Sequence, residues 1–105
     1  MATYIVLCNF TDQGIRNAKD TVSRAEGVRR MAKEFGVTVK DIYWTLGAYD
    51  LAVLFEAPDD ESVAALGLAI GGMGNVRTQA LRAFNVDEMK GVIAKVAKTR
   101  QAVPA

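Results

Sequence analysis

One early segment already decides most of what this chain can become. Residues 3–10 read as a β-strand, with Tyr4, Val6, Cys8 and Phe10 on one face and Thr3, Ile5, Leu7 and Asn9 on the other. Both faces are largely apolar. A strand whose sheet carries helices on one side and water on the other alternates apolar with polar residues, and this one does not. The pattern recurs further on. Leu51, Val53 and Phe55 oppose Ala52 and Leu54, while Tyr43 opposes Ile42, Trp44 and Leu46. Leaving the second side wet forgoes about 25 cal/mol for each Å² of apolar surface, and an apolar patch of this kind marks an interface. The expectation is a homodimer in which two sheets stack face to face and close a barrel between subunits. The competing account lets a C-terminal helix of the same chain cover the second face.

The rest of the chain supplies the partners of that strand. Ile15, Ala18, Val22, Ala25, Val28 or Arg29, Ala32 and Phe35 recur every three or four residues, with Arg16, Lys19, Asp20, Arg24, Arg30 and Lys33 opposite. Gly14 and Gly27 weaken this helical region, so a short or broken turn is expected near residues 12–18 and a firmer helix from Asp20, stopped at Gly36. Residues 38–46 and 51–56 form a hairpin around Gly47-Ala48-Tyr49-Asp50. Pro58-Asp59-Asp60-Glu61 opens a helix that runs from about residue 59 to 70 or 73. This helix is apolar nearly all round and is expected to be buried on more than one side. Gly71-Gly72-Met73-Gly74 closes it, and without a following Lys-Ser or Lys-Thr the run is a poor phosphate loop. Residues 75–84 form a fourth strand. Asn85 and Glu88 cap a last helix carrying Met89, Val92 or Ile93, and Val96. Residues 1–97 thus read as one domain and 98–105 as a flexible C-terminal tail. The order gives an α+β, ferredoxin-like βαββαβ fold, an antiparallel four-stranded sheet with a C-terminal helix added.

Composition narrows the chemistry. Thirteen Lys and Arg against twelve Asp and Glu leave a formal charge of +1, too little to draw in nucleic acid or an acidic membrane. There is no histidine, which removes the commonest general base and metal ligand. No Cys and carboxylate cluster has metal-ligand spacing, so neither a metal nor a cofactor is expected. Cys8 stands alone, which suits a reducing cytoplasm, and the apolar start lacks the basic segment of a secretion signal. The longest apolar stretch, residues 64–74, is far short of the about 20 residues a bilayer needs.

Three separated motifs then point the same way. Tyr43-Trp44-Thr45-Leu46-Gly47-Ala48-Tyr49-Asp50-Leu51 resembles the signature of the GYD-domain family, as do Phe10-Thr11-Asp12-Gln13-Gly14-Ile15 and residues 75–84, Asn75-Val76-Arg77-Thr78-Gln79-Ala80-Leu81-Arg82-Ala83-Phe84. The resemblance implies a dimeric α+β barrel in a small bacterial protein and implies little about activity. A fainter likeness joins the Gly-x-Tyr-Asp turn and the Gly74-Asn75-Val76-Arg77-Thr78 stretch to the effector-sensing domain of leucine-responsive regulators. That domain pairs through its sheets and binds small ligands between subunits. No helix-turn-helix precedes the first strand, so direct reading of DNA is not expected.

Five residues are candidates for contact with a ligand. Asp50 offers a carboxylate at a pocket mouth with Tyr49 beside it as donor or stacking surface; the plainer account has Asp50 cap its own turn. Tyr43 and Trp44 face opposite sides of the sheet, so one points away from the helices, and Trp44 is taken as a ligand platform or as dimer core. Arg77 and Arg82 also fall on opposite faces; one is available to hold a carboxylate or phosphate, or is paired with a carboxylate of the protein. Cys8 reads as a small buried hydrophobe. The function expected is a small homo-oligomeric protein that binds a small molecule in a sensing or accessory role, with no catalytic residue assigned. A cofactor-free enzyme of the dimeric-barrel type (oxygenase, isomerase or decarboxylase) and a purely structural assembly protein are the alternatives.

Overall fold

The computed structural model describes the backbone of residues 1–102 and the side chains of residues 1–99. Strands β1 (Ala2–Phe10), β2 (Thr38–Trp44), β3 (Leu51–Ala57) and β4 (Val76–Ala83) form one sheet in the order β2-β3-β1-β4. Every neighbouring pair is antiparallel. Helices α1 (Asp12–Arg16) and α2 (Thr21–Ala32) follow β1, α3 (Asp60–Gly72) joins β3 to β4, and α4 (Val86–Ala102) ends the chain. The expected α+β, ferredoxin-like order is the one observed.

Local chemistry sets the boundaries. Thr11 caps α1 by accepting the Gly14 N–H at 3.0 Å, and a 3₁₀ turn at Ala18–Asp20 makes the expected break before α2. Gly36, at φ 72°, ends the turn after α2 in the left-handed conformation that glycine adopts without a Cβ clash. Asp59 accepts the Ser62 N–H at 2.8 Å at the start of α3, and that bond holds its carboxyl below the usual range. Asn85 and Glu88 exchange reciprocal bonds of 3.0 and 2.8 Å at the start of α4.

The core lies between one face of the sheet and helices α2 and α3. Tyr4, Val6, Cys8, Leu51 and Phe55 meet Ala32, Val63, Leu66 and Ile70 there, all buried. The Tyr4 hydroxyl donates to Asp60 at the foot of α3; that bond, with burial behind it, holds the phenol above its ordinary pKa. Several expectations need correction. Ile15 and Val22, placed on the inner stripe by spacing, are 59% and 60% exposed. The rest of that stripe holds: Ala25, Val28, Ala32 and Phe35 face inward, joined by Thr21, Arg24 and Met31. Arg24, placed on the outer face by spacing, is half-buried and borders the space under α2. Leu46 falls beyond β2 and is fully exposed. Only one stripe of α3 is buried, Val63, Leu66 and Ile70, and Leu68 faces outward.

The second face of the sheet is open. The register aligns Leu54, Ile5 and Leu81 in one row and Tyr43, Ala52, Leu7 and Gln79 in the next. Ile5, Tyr43 and Leu81 are exposed. Helix α4 does not cover them: it runs away from the body and exposes its own Met89, Val92, Ile93 and Val96. The radius of gyration of 17.0 Å, against about 13 Å for a compact chain of 100 residues, reflects that projection. The helical backbone passes through Lys98 to Ala102; residues 103–105 of the expected tail lie outside the described residues.

Candidate functional site

The five candidate residues do not converge. Trp44, Tyr49, Asp50 and Arg77 gather at one end of the sheet, on different surfaces. Trp44 points to the helix side, where its indole N–H donates to Thr21 Oγ1 at 3.0 Å. Tyr49 lies over the open side and donates to Gln79 Oε1 at 3.1 Å. Arg77 pairs in register with Asn9 on that open side, exposed to water. Arg82 sits on the helix side, opposite Tyr4, and far from the hairpin. It makes an ion pair with Glu88 at 3.1 Å and lies 4.7 Å over the Phe84 ring. The Asn85 N–H, with that ion pair behind it, holds the Glu88 carboxyl below its usual range.

Asp50 is held by backbone on three counts. Its carboxylate accepts the Phe10 N–H at 2.8 Å, its own N–H donates to the Cys8 carbonyl at 2.8 Å, and its carbonyl accepts the Thr45 N–H at 2.8 Å. The carboxylate thus ties the hairpin end to the last residue of β1, where the ladder would otherwise leave an N–H unpaired. Replacing Asp50 with Ala removes a charged acceptor and orphans a part-buried donor, which costs about 2 kcal/mol. Asp50→Asn keeps an acceptor oxygen and loses less. Urea denaturation of both variants reads this; an Asp50→Ala protein as stable as the parent would show that the carboxylate does not fasten the turn.

A half-open apolar pocket lies elsewhere. Between the sheet and helices α2 and α3 lies a cavity of about 300 Å³, walled by Val6 and Phe55 from the sheet, Val28 and Met31 from α2, and Ile70 from α3. Cys8 also faces it; burial pushes this thiol up to about 11, so it stays protonated and unreactive at neutral pH. Arg24 supplies the one charged group of the lining. Helical spacing found part of this face, Ala25, Val28 and Ala32, and missed Thr21, Arg24 and Met31 on the same side. Among the described residues no group of three Cys, Asp or Glu side chains is placed to hold a metal ion. No helix among them is long and apolar enough to cross a membrane.

Comparison with known proteins agrees with this architecture. The protein named glutamine synthetase and cystathionine beta-lyase binding protein, from Thermus thermophilus, is 34% identical over 90 residues, covering 85% of this chain and 95% of that relative. The crystal structure of TTHA0845, also from Thermus thermophilus, superposes with a TM-score of 0.54 at 25% identity, over 82% of this chain and 96% of that one. The profile of the GYD domain matches residues 4–93. With strand order, turn and sequence in agreement over nearly its whole length, the chain belongs to the GYD-domain family.

Proposed function

We propose that the chain is an accessory protein that acts by binding: it self-associates through the open face of its sheet, docks on a larger enzyme and responds to a small molecule. The observation that carries this reading is the relative named for binding two enzymes, which aligns with this chain over 95% of its own length. Little of that relative is left over to hold a separate binding module. The physical support is the distribution of apolar surface. Ile5, Tyr43 and Leu81 on the sheet and Phe84, Met89, Ile93 and Val96 on β4's end and α4 are all exposed, more than a small monomer leaves in water without purpose. With a formal charge of +1, attraction by a long-range field is weak, so contact rests on these apolar groups. Tyr49 and Arg77 at the hairpin end edge the open face and supply the polar rim that sets partner orientation.

The test uses the intact chain, immobilised, with purified glutamine synthetase and cystathionine β-lyase from the organism that encodes it. Saturable binding of at least one enzyme in the micromolar range is expected. Absence of binding to both at about 100 μM, weaker than roughly −5.5 kcal/mol, from a folded sample would overturn the docking part of the reading.

A further inference from the structure

We propose that the space between the sheet and helices α2 and α3 is a binding site for a small amphipathic carboxylate, whose apolar body fills the cavity and whose head meets Arg24. Protein interiors are close-packed, and voids larger than a water molecule are few. Elsewhere the same layers obey that rule: Ala32 and Leu66 are 0% exposed and Val37 is 1% exposed. The gap is therefore local. An apolar cavity of roughly 150 Å³ accepts a six-carbon ring, so the about 300 Å³ here suits an aliphatic or aromatic acid of about ten to twelve non-hydrogen atoms.

Arg24 gives the ligand its charge. Its guanidinium donates to the Asn17 carbonyl at 2.7 Å and to the Gly14 carbonyl at 3.3 Å, which anchors it at the rim. No carboxylate lies within ion-pair distance of it among the described residues. The cation thus keeps N–H donors and no counter-ion beside an apolar chamber, and a guanidinium recognises a carboxylate through paired N–H donors. Thr21, Asn75 and Thr78, the other polar residues of the lining, are neutral and leave a single negative charge as the match. This inference gives a chemistry to the small molecule of the accessory reading and rests on that reading only for its purpose. The experiment contains no partner enzyme, so its failure removes the ligand and leaves the docking proposal standing.

Octanoate is titrated into the full chain labelled with ¹³C at the methionine methyls, with octan-1-ol as the neutral comparator. Met31 and Met73 border the cavity, whereas Met1 and Met89 are exposed outside it. Saturable shifts at Met31 and Met73, with Met1 and Met89 unmoved, are expected. Arg24→Met should weaken octanoate about tenfold or more and leave octan-1-ol unchanged, and Ala25→Phe, which fills the chamber from α2, should abolish both. No saturable shift at Met31 and Met73, shifts that spread equally to Met1 and Met89, or equal octanoate affinity in Arg24→Met would each overturn the site. If Ala25→Phe does not fold, the methyl pattern and Arg24→Met decide between the same two results.

Discussion

Gly14→Ala is expected to destabilise the protein by about 3 kcal/mol or more, a large part of the roughly 5–15 kcal/mol that holds a domain of this size together. Gly14 is buried in the single short turn of α1. A Cβ built on it would stand 1.9 Å from the Asn75 carbonyl oxygen and 2.8 Å from the carbon that bears it. Both atoms are backbone and have no rotamer to escape into. The same oxygen accepts the Thr11 N–H at 3.1 Å, so α1 cannot withdraw without breaking the bond that ties it to the start of β4. The Thr11 hydroxyl would go too, since it bonds at once to the Gly14 N–H, 3.0 Å, and to the Gly74 carbonyl, 2.5 Å. Crowding and orphaned backbone groups each cost about 1–3 kcal/mol, and here they act together. Gly71→Ala is the matched control. Nothing lies within 4 Å of its built Cβ, and within α3 alanine is favoured over glycine by up to about 1 kcal/mol. Urea midpoints should fall sharply for the first variant and hold or rise for the second. Equal midpoints for parent and Gly14→Ala would refute the close approach.

That close approach also illustrates what the sequence conceals. Gly14 reads there as a helix-weakening residue, which is correct and incomplete, because the neighbour that forbids a side chain lies 61 positions further along the chain, at Asn75. Elements governed by local chemistry were legible. The Asn85–Glu88 pair and the Asp59 cap are satisfied within three residues, and Gly36 ends its turn through its own backbone angle. The inner stripe of α2 was legible at Ala25, Val28 and Ala32 but not at its start, where Ile15 and Val22, on either side of the 3₁₀ turn at Ala18–Asp20, face water. The register shift between Val39 and Asp41 in β2 was not legible either; beside it the Arg29 guanidinium donates to the Val39 carbonyl at 2.6 Å.

The candidate site follows the same division. Alternation along a strand correctly separates Tyr43 from Trp44 and Arg77 from Arg82, because side-chain direction in a strand is set by parity alone. Alternation cannot say what fills each side. Trp44 is held to α2 by Thr21, Arg82 by Glu88, and Asp50 by the Phe10 N–H, all partners that only the folded chain brings near. Arg24 is the opposite case, a charged residue that helical spacing assigned to the outer face and that instead borders the pocket, half-buried.

The open sheet face leads to the second large effect: Ile5→Glu is expected to convert a dimer of this chain into monomers that remain folded. Ile5 stands on a central strand, between Leu54 and Leu81 in its row, and Ile5 and Leu81 are 39% and 41% exposed. In a two-fold stack of sheets this row is covered by the same row of the second copy, and every substitution is present twice. A carboxylate buried there without a partner costs about 2–3 kcal/mol per copy even after partial relief. The pair thus loses about 4–6 kcal/mol, or roughly 10³–10⁴-fold in the dissociation constant. Within one chain the same side chain already touches water, so far-UV circular dichroism should change little. Val22→Glu, on the 60% exposed outer side of α2, should leave the sedimenting mass unaltered. A parent that sediments as a monomer throughout the micromolar range, or an Ile5→Glu protein that stays dimeric, would remove the stacked sheets. The apolar row would then have to be covered by the partner enzyme, and Ile5→Glu would weaken enzyme binding directly; in the dimeric arrangement it does so only by dispersing the copies.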